Sequence, residues 1–246
     1  MADESLHPRH PSSSDEELLE AETSAILEEL TDGQRVQRIQ EELRDGFKAL
    51  SSMGKAVSIF GSARTPRDHP RYERARALAR RLGHEGFTII TGGGPGIMEA
   101  ANRGARDAGV PSVGLGIELP HEQGMNEWVD LPLAFHYFFT RKVMFVRYAS
   151  AFVVFPGGFG TMDELFEAAT LRQTEKIRHF PIVLVDGSYW SGLTGWLREQ
   201  MLGDGYIGPE DIDALTICDD FDRVIEIVEV LEARIAPCPR CGSSSR

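Results

Sequence analysis

Cysteine is scarce in this chain: three in 246 residues, too few for a disulfide framework, with Cys238 and Cys241 the only close pair. A closed zinc site would need two more ligands. Cys218 is the one other thiol and no histidine follows residue 179, so no metal site is expected from local residues. Lysine is nearly as rare. Lys48, Lys55, Lys142 and Lys176 are the whole set, and none has a neighbouring signature for a Schiff base with pyridoxal phosphate. No run of about 18 apolar residues exists to span a bilayer, and the N-terminus lacks the basic-then-apolar order of a secretory signal. A cytoplasmic protein without a membrane partner is expected.

Net positive charge is also missing. The balance of -12 argues against a nucleic-acid partner, yet it is unevenly spread. Residues 1–32 hold ten acids against the single base Arg9, which leaves only three net negative charges for the rest of the chain. With Pro8, Pro11 and Ser12-Ser13-Ser14, this stretch reads as a disordered acidic tail, and it does not exclude a small anionic ligand for the core. Residues 236–246 read as a second tail. Between them, residues 33–235 are expected to build one α/β domain, since 41% hydrophobic content suffices to bury a single large core.

What the chain does contain is alternation of short β-rich runs with amphipathic helices, the pattern of a doubly wound parallel sheet with helices on both faces. Strands are predicted at 56–60, 87–90, 112–115, 151–155, 182–185 and 215–217. Helices are predicted with apolar faces at Tyr72, Ala75, Leu78, Ala79 and Leu82, at Met98, Ala101 and Ala105, over 138–149, over 161–174 from Thr161, around 190–201 and over 220–235. Ahead of the first strand, Gln34 to Ser51 has helical spacing at Val36, Ile39, Leu43, Phe47 and Leu50, a face expected to meet the sheet or a second subunit.

Ligands of such a sheet gather where loops leave the carboxyl ends of the strands. Three loops stand out: Gly61-Ser62-Ala63-Arg64, Gly92-Gly93-Gly94-Pro95-Gly96, and Pro156-Gly157-Gly158-Phe159-Gly160-Thr161. None is a dinucleotide fingerprint, because the first has one glycine and the second has Ile97 where a third would fall; no G-x-x-x-x-G-K-[ST] occurs either. The third loop is the most telling. Glycines there let the backbone close on a ligand, the amides at a helix start attract an anion, and Glu164 waits one helical turn beyond. Gly157, Gly158, Gly160 and Thr161 are thus candidates for holding a phosphate, with Ser62, Gly93 and Gly94 as further substrate-binding candidates. The plainer reading of Thr161-x-x-Glu164 is a capping box that only satisfies backbone amides.

The stretch Gly92 to Ala100, the pair Arg141-Lys142 and Pro156 to Glu164 together resemble the Lonely Guy family of cytokinin-activating phosphoribohydrolases, often labelled lysine decarboxylases, over roughly residues 56–233. The resemblance implies a Rossmann-like fold, a homodimer or larger assembly, no metal or redox cofactor, and hydrolysis of an N6-modified adenosine 5′-monophosphate to free base and ribose 5-phosphate. Two alternatives share the same glycine loop: a broad nucleoside 5′-monophosphate nucleosidase, and a non-catalytic carrier of a nucleotide or of molybdenum cofactor. By resemblance Glu164 and Arg141 are the catalytic pair, Lys142 is a weaker partner, and Glu122 and Thr170 fall on substrate-binding positions. Thr140 and Leu171 depart from the plant-type pattern, as a longer bacterial branch would, and such departures are expected to face the base.

Overall fold

The computed structural model describes residues 31–118, 124–177 and 180–235. Its elements are α1 (Asp32–Leu50), β1 (Ala56–Phe60), α2 (Pro70–His84), β2 (Thr88–Thr91), α3 (Ile97–Ala108), β3 (Ser112–Ile117), β4 (Leu131–Phe135), α4 (Phe138–Tyr148), β5 (Ala151–Val154), α5 (Phe159–Gln173), β6 (Ile182–Leu184), α6 (Gly187–Trp196), α7 (Pro209–Asp213), β7 (Leu215–Ile217) and α8 (Phe221–Ile235). The acidic stretch before residue 31, Glu122 and the pair Cys238 and Cys241 lie outside the described residues.

All seven strands are parallel, in the order β4-β3-β2-β1-β5-β6-β7. From β1 the chain steps outward to β4, then crosses back to place β5 on the other side of β1. The loops after β1 and β5 therefore leave the same sheet edge at the point where the winding reverses, where a crevice opens. Strands β1, β2, β5 and β6 are buried at every position, as parallel strands covered on both faces must be. Alternate residues feed two cores. Val57 and Ile59 pack with Tyr72, Leu78, Ala101 and Val224 from α2, α3 and α8; Ala56 and Phe60 pack with Met144, Phe145, Leu165 and Trp190 from α4, α5 and α6. Each such large side chain contributes about 1.5–3 kcal/mol by leaving water.

Several boundaries differ from the sequence reading, each for a physical reason. The sequence reading has no strand at 131–135, where β4 forms; Pro132 sits inside it, and at a sheet edge the missing N–H costs no ladder bond. Helix α5 begins at Phe159 rather than Thr161, since the glycine turn closes earlier, and the chain from Leu197 to Leu202 continues α6 as a π-helical turn. The face of α1 is rotated from its hydrophobic stripe: Arg35, Glu42, Gly46 and Leu50 are buried, whereas Val36 and Phe47 are exposed. Close approach of α4 decides this, because a Cβ at Gly46 would meet Met144 Cε at 2.8 Å. On α4 itself Met144 and Phe145 are buried and Val143 is exposed.

Candidate active site

The loops after β1, β2 and β5 are stitched together by their backbones. Ser62 N–H donates to the Pro156 carbonyl at 3.0 Å, and Ile97 N–H donates to the Ser62 carbonyl at 3.0 Å. Gly96, at φ +69°, makes this possible: a Cβ there would lie 2.4 Å from Ser62 O. The second loop is pinned from behind by Asn126, whose amide nitrogen donates to the Gly93 and Gly94 carbonyls at 2.9 and 3.0 Å and to Asn102 Oδ1 at 2.9 Å. Asn102 also receives the Thr91 hydroxyl and donates to Ser112. It is a buried hub of the scaffold, and Glu99, held by Tyr72 Oη and Arg67, is likewise engaged away from the cavity.

Between these loops opens a cavity of about 1000 Å³. Its floor is Gly61, Ser62, Ala63 and Arg64, then Gly92, Gly93 and Gly94, then Gly158, Phe159, Gly160 and Thr161; Arg141 and Glu164 face each other within it. Met98, Ile117, Met125, Ala134, Phe138 and Phe145 give it an apolar flank, broken by Glu118. The volume sits at the upper end of small-molecule sites.

Helix α5 brings its N-terminus to this cavity without a side-chain cap, so the amides of its first turn, at Phe159 and Gly160, precede any intrahelical acceptor. Thr161 is third in the helix and its own N–H bonds Gly158 O at 3.0 Å. The capping-box reading is thereby excluded: the N-cap is Gly158, and neither carboxylate oxygen of Glu164 accepts a hydrogen bond among the described residues. Glycine is required at 157, where a Cβ would stand 2.0 Å from Thr161 Oγ1.

Glu164 is 3% exposed. Burial pushes its pKa up to about 7, with Lys142 and Arg141 pulling the other way. Arg141 Nη2 lies 3.8 Å from Glu164 Oε1, an ion-pair distance rather than a hydrogen bond, and the guanidinium rests against the rings of Phe138 and Phe145. Arg141 owes its place to α1. The Glu42 carboxylate accepts His136 N–H at 3.0 Å and lies 2.6 Å from the Thr140 hydroxyl, fixing the start of α4.

The predicted residues separate into those the fold gathers and those it does not. Ser62, Gly93, Gly94, Arg141, Gly158, Gly160, Thr161 and Glu164 line the cavity; Gly157 stands just behind it. Lys142 points to Asp163 at 2.9 Å and Glu167 at 2.5 Å. Burial works against its charge, but those two hydrogen bonds together with the charges of Glu164 and Glu167 hold its pKa above the usual lysine value. Thr170 is exposed and donates back to Phe166 O at 2.8 Å, outside this cavity. Thr140 and Leu171 do not line it either: Thr140 is buried against Glu42, so its departure from the plant-type residue is matched to α1 rather than to a base. Glu118, Met125, Asn126 and Tyr189 were not singled out from sequence. A signal for Met125 existed in Gly114-x-Gly116 within β3, where a Cβ at Gly116 would meet Met125 Cε at 2.6 Å.

An uncapped helix N-terminus and a buried acid at the switch point of a doubly wound sheet define a class of α/β proteins built to hold a small anionic ligand. Residues 98–228 match the family model described as possible lysine decarboxylase. The chain is 31% identical over 170 residues, 67% of its length and 88% of the relative's, to the cytokinin riboside 5′-monophosphate phosphoribohydrolase of Mycobacterium tuberculosis. It is 33% identical over 136 residues, 54% of its length and 63% of the relative's, to a probable enzyme of that name, LOGL3, from Oryza sativa subsp. japonica. Among solved structures, the Moco carrier protein from Chlamydomonas reinhardtii shares the fold, with a TM-score of 0.52 and 22% identity over 74% of this chain and 99% of that one. The chain belongs to the Lonely Guy family, whose family model carries the lysine decarboxylase description.

Proposed function

We propose that this protein hydrolyses the N-glycosidic bond of adenosine 5′-monophosphate or its N6-substituted forms, releasing free base and ribose 5-phosphate. The observation that carries the reading is Glu164: buried, without a hydrogen-bond partner among the described residues, and opening on the cavity beside Arg141 and the glycine turn. A buried carboxylate that no hydrogen bond engages is poised for charge that develops only during reaction. The relatives' shared name supports the same bond and the same substrate class.

In this reading the 5′-phosphate docks on the first amides of α5 and the Thr161 hydroxyl, and that remote anchor places C1′ against Glu164. As the bond from C1′ to the base nitrogen breaks, its electron pair leaves with the base and positive charge grows on the sugar. Glu164 stabilises that charge and takes a proton from the water whose oxygen bonds C1′; a proton then passes to the base nitrogen that kept the electron pair, so neutral base leaves and the carboxylate is restored. Arg141 orders the substrate and balances negative charge on the departing base. The apolar flank of Met98, Met125 and Phe138 receives the ring of the base.

The protein works as a homo-oligomer in this proposal, a view supported by the exposed apolar side chains of Phe139 and Val143 on α4 and Phe159 and Phe166 on α5. No helix among the described residues is long and apolar enough to cross a membrane, and the proposed setting is the cytoplasm. Incubation with AMP and with N6-isopentenyl-AMP, followed by chromatography, should show free base from at least one of them. Absence of base release from both, by folded protein, overturns the reading.

A further inference from the structure

The first turn of α6 lies outside the cavity, yet it reaches the phosphate seat from behind. Tyr189 Oη donates to the Gly157 carbonyl oxygen at 2.7 Å. No peptide bond in the described chain is cis, so the Gly157 carbonyl and the Gly158 N–H, which share one planar unit, point in opposite directions. Gly158 lines the cavity, whereas Gly157 and Tyr189 do not. A carbonyl drawn toward Tyr189 thus turns the Gly158 N–H toward the cavity. With glycine on both sides of it, this peptide has little steric reason to keep one orientation unaided.

Tyr189 is itself held by an unusually fixed platform. Asp186, which caps the start of α6, adopts φ +77°, a left-handed conformation uncommon outside glycine and here held by a constraint. The constraint is visible: Asp219 accepts the N–H groups of Asp186 and Gly187 at 2.7 and 2.9 Å, Arg71 Nε lies 2.6 Å from Asp186 Oδ2, and the Ser188 hydroxyl donates to Asp186 Oδ1 at 2.6 Å. Tyr189 N–H bonds Asp186 O at 3.0 Å, and its ring stands edge-on to the buried Trp190, with the Arg71 guanidinium 5.8 Å from its centre. Three segments far apart in sequence converge to aim one phenol at one carbonyl.

We infer that Tyr189 is a positioning residue for the phosphate seat: by holding the Gly157 carbonyl it presents the Gly158 N–H to the substrate's phosphate, an inference that rests on the reading under Proposed function. The test is calorimetric titration of the full chain, unaltered and as Tyr189→Phe, with ribose 5-phosphate and separately with adenosine. The Phe variant keeps the ring between Arg71 and Trp190 and removes only the hydroxyl. It should bind ribose 5-phosphate about tenfold more weakly, the order expected when one amide-to-phosphate hydrogen bond is lost, and adenosine within about twofold of the unaltered protein. Equal ribose 5-phosphate affinities overturn the inference. So does an equal loss for both ligands with a lowered melting temperature, which marks a merely structural role. Failure of the unaltered protein to bind either ligand defeats the nucleotide reading itself, and this inference with it.

Discussion

Arg141 Nη2 and Glu164 Oε1 stand 3.8 Å apart across the cavity, close enough to attract and too far to hydrogen bond. The acid stays buried and uncommitted, and a pKa of about 7 follows. That arrangement costs stability whenever Glu164 is ionised, because the folded state holds a proton that the unfolded chain releases above about pH 4.5. The stabilising contribution of the protonated group is fully present below pH 4.5 and lost as pH rises through about 7, a difference of up to about 3 kcal/mol. Glu164→Gln should therefore raise the melting temperature at pH 8 and leave it nearly unchanged at pH 5. Turnover should fall about a thousandfold while AMP still binds. A variant no more stable than the parent at pH 8 would contradict the burial argument.

The pH dependence of catalysis follows from the same group. With the carboxylate as the working form, kcat/KM for AMP should fall about tenfold per pH unit below about 7 and level off above it. A profile flat from pH 5 to 8 would remove Glu164 from the proton-accepting role.

Gly157→Ala places a methyl carbon 2.0 Å from Thr161 Oγ1 and 2.6 Å from Thr161 Cβ. The expected result is a loss of about 1–3 kcal/mol in urea unfolding and a raised KM, since the turn must open to admit the group. Adding Thr161→Ala should recover part of the stability by deleting the nearer clash, though not the affinity for phosphate.

Glu42 ties α1 to α4 by accepting from His136 N–H and facing the Thr140 hydroxyl. Glu42→Ala leaves both groups without that acceptor, at a cost of about 2–4 kcal/mol. Arg141 follows Thr140 directly, so kcat should also fall even though Glu42 does not line the cavity; urea melts and steady-state kinetics would read both effects.

Much of this molecule is written locally. Ala56–Phe60 and Ala151–Val154 are unbroken β-rich runs because strands covered on both faces bury every residue, and the glycine turn with its acid lies within nine consecutive positions. Those features depend on near neighbours and on backbone sterics, which sequence specifies directly. Partnerships across the fold are another matter. Of the stripe Val36, Ile39, Leu43, Phe47 and Leu50, the last is buried and Leu43 packs on the core, but Val36 and Phe47 stay exposed, because what α1 meets is set by Met144 and Thr140, about a hundred residues away. Tyr189 and Asn126 reach the glycine loops over 32 and 33 residues, and nothing in their own surroundings announces it. Sequence alone determined that an acid would follow a glycine turn at the end of a parallel strand. Only the tertiary structure decided that this acid is buried, accepts no hydrogen bond among the described residues and is opposed by Arg141, because burial and long-range electrostatics arise when distant segments close around one point.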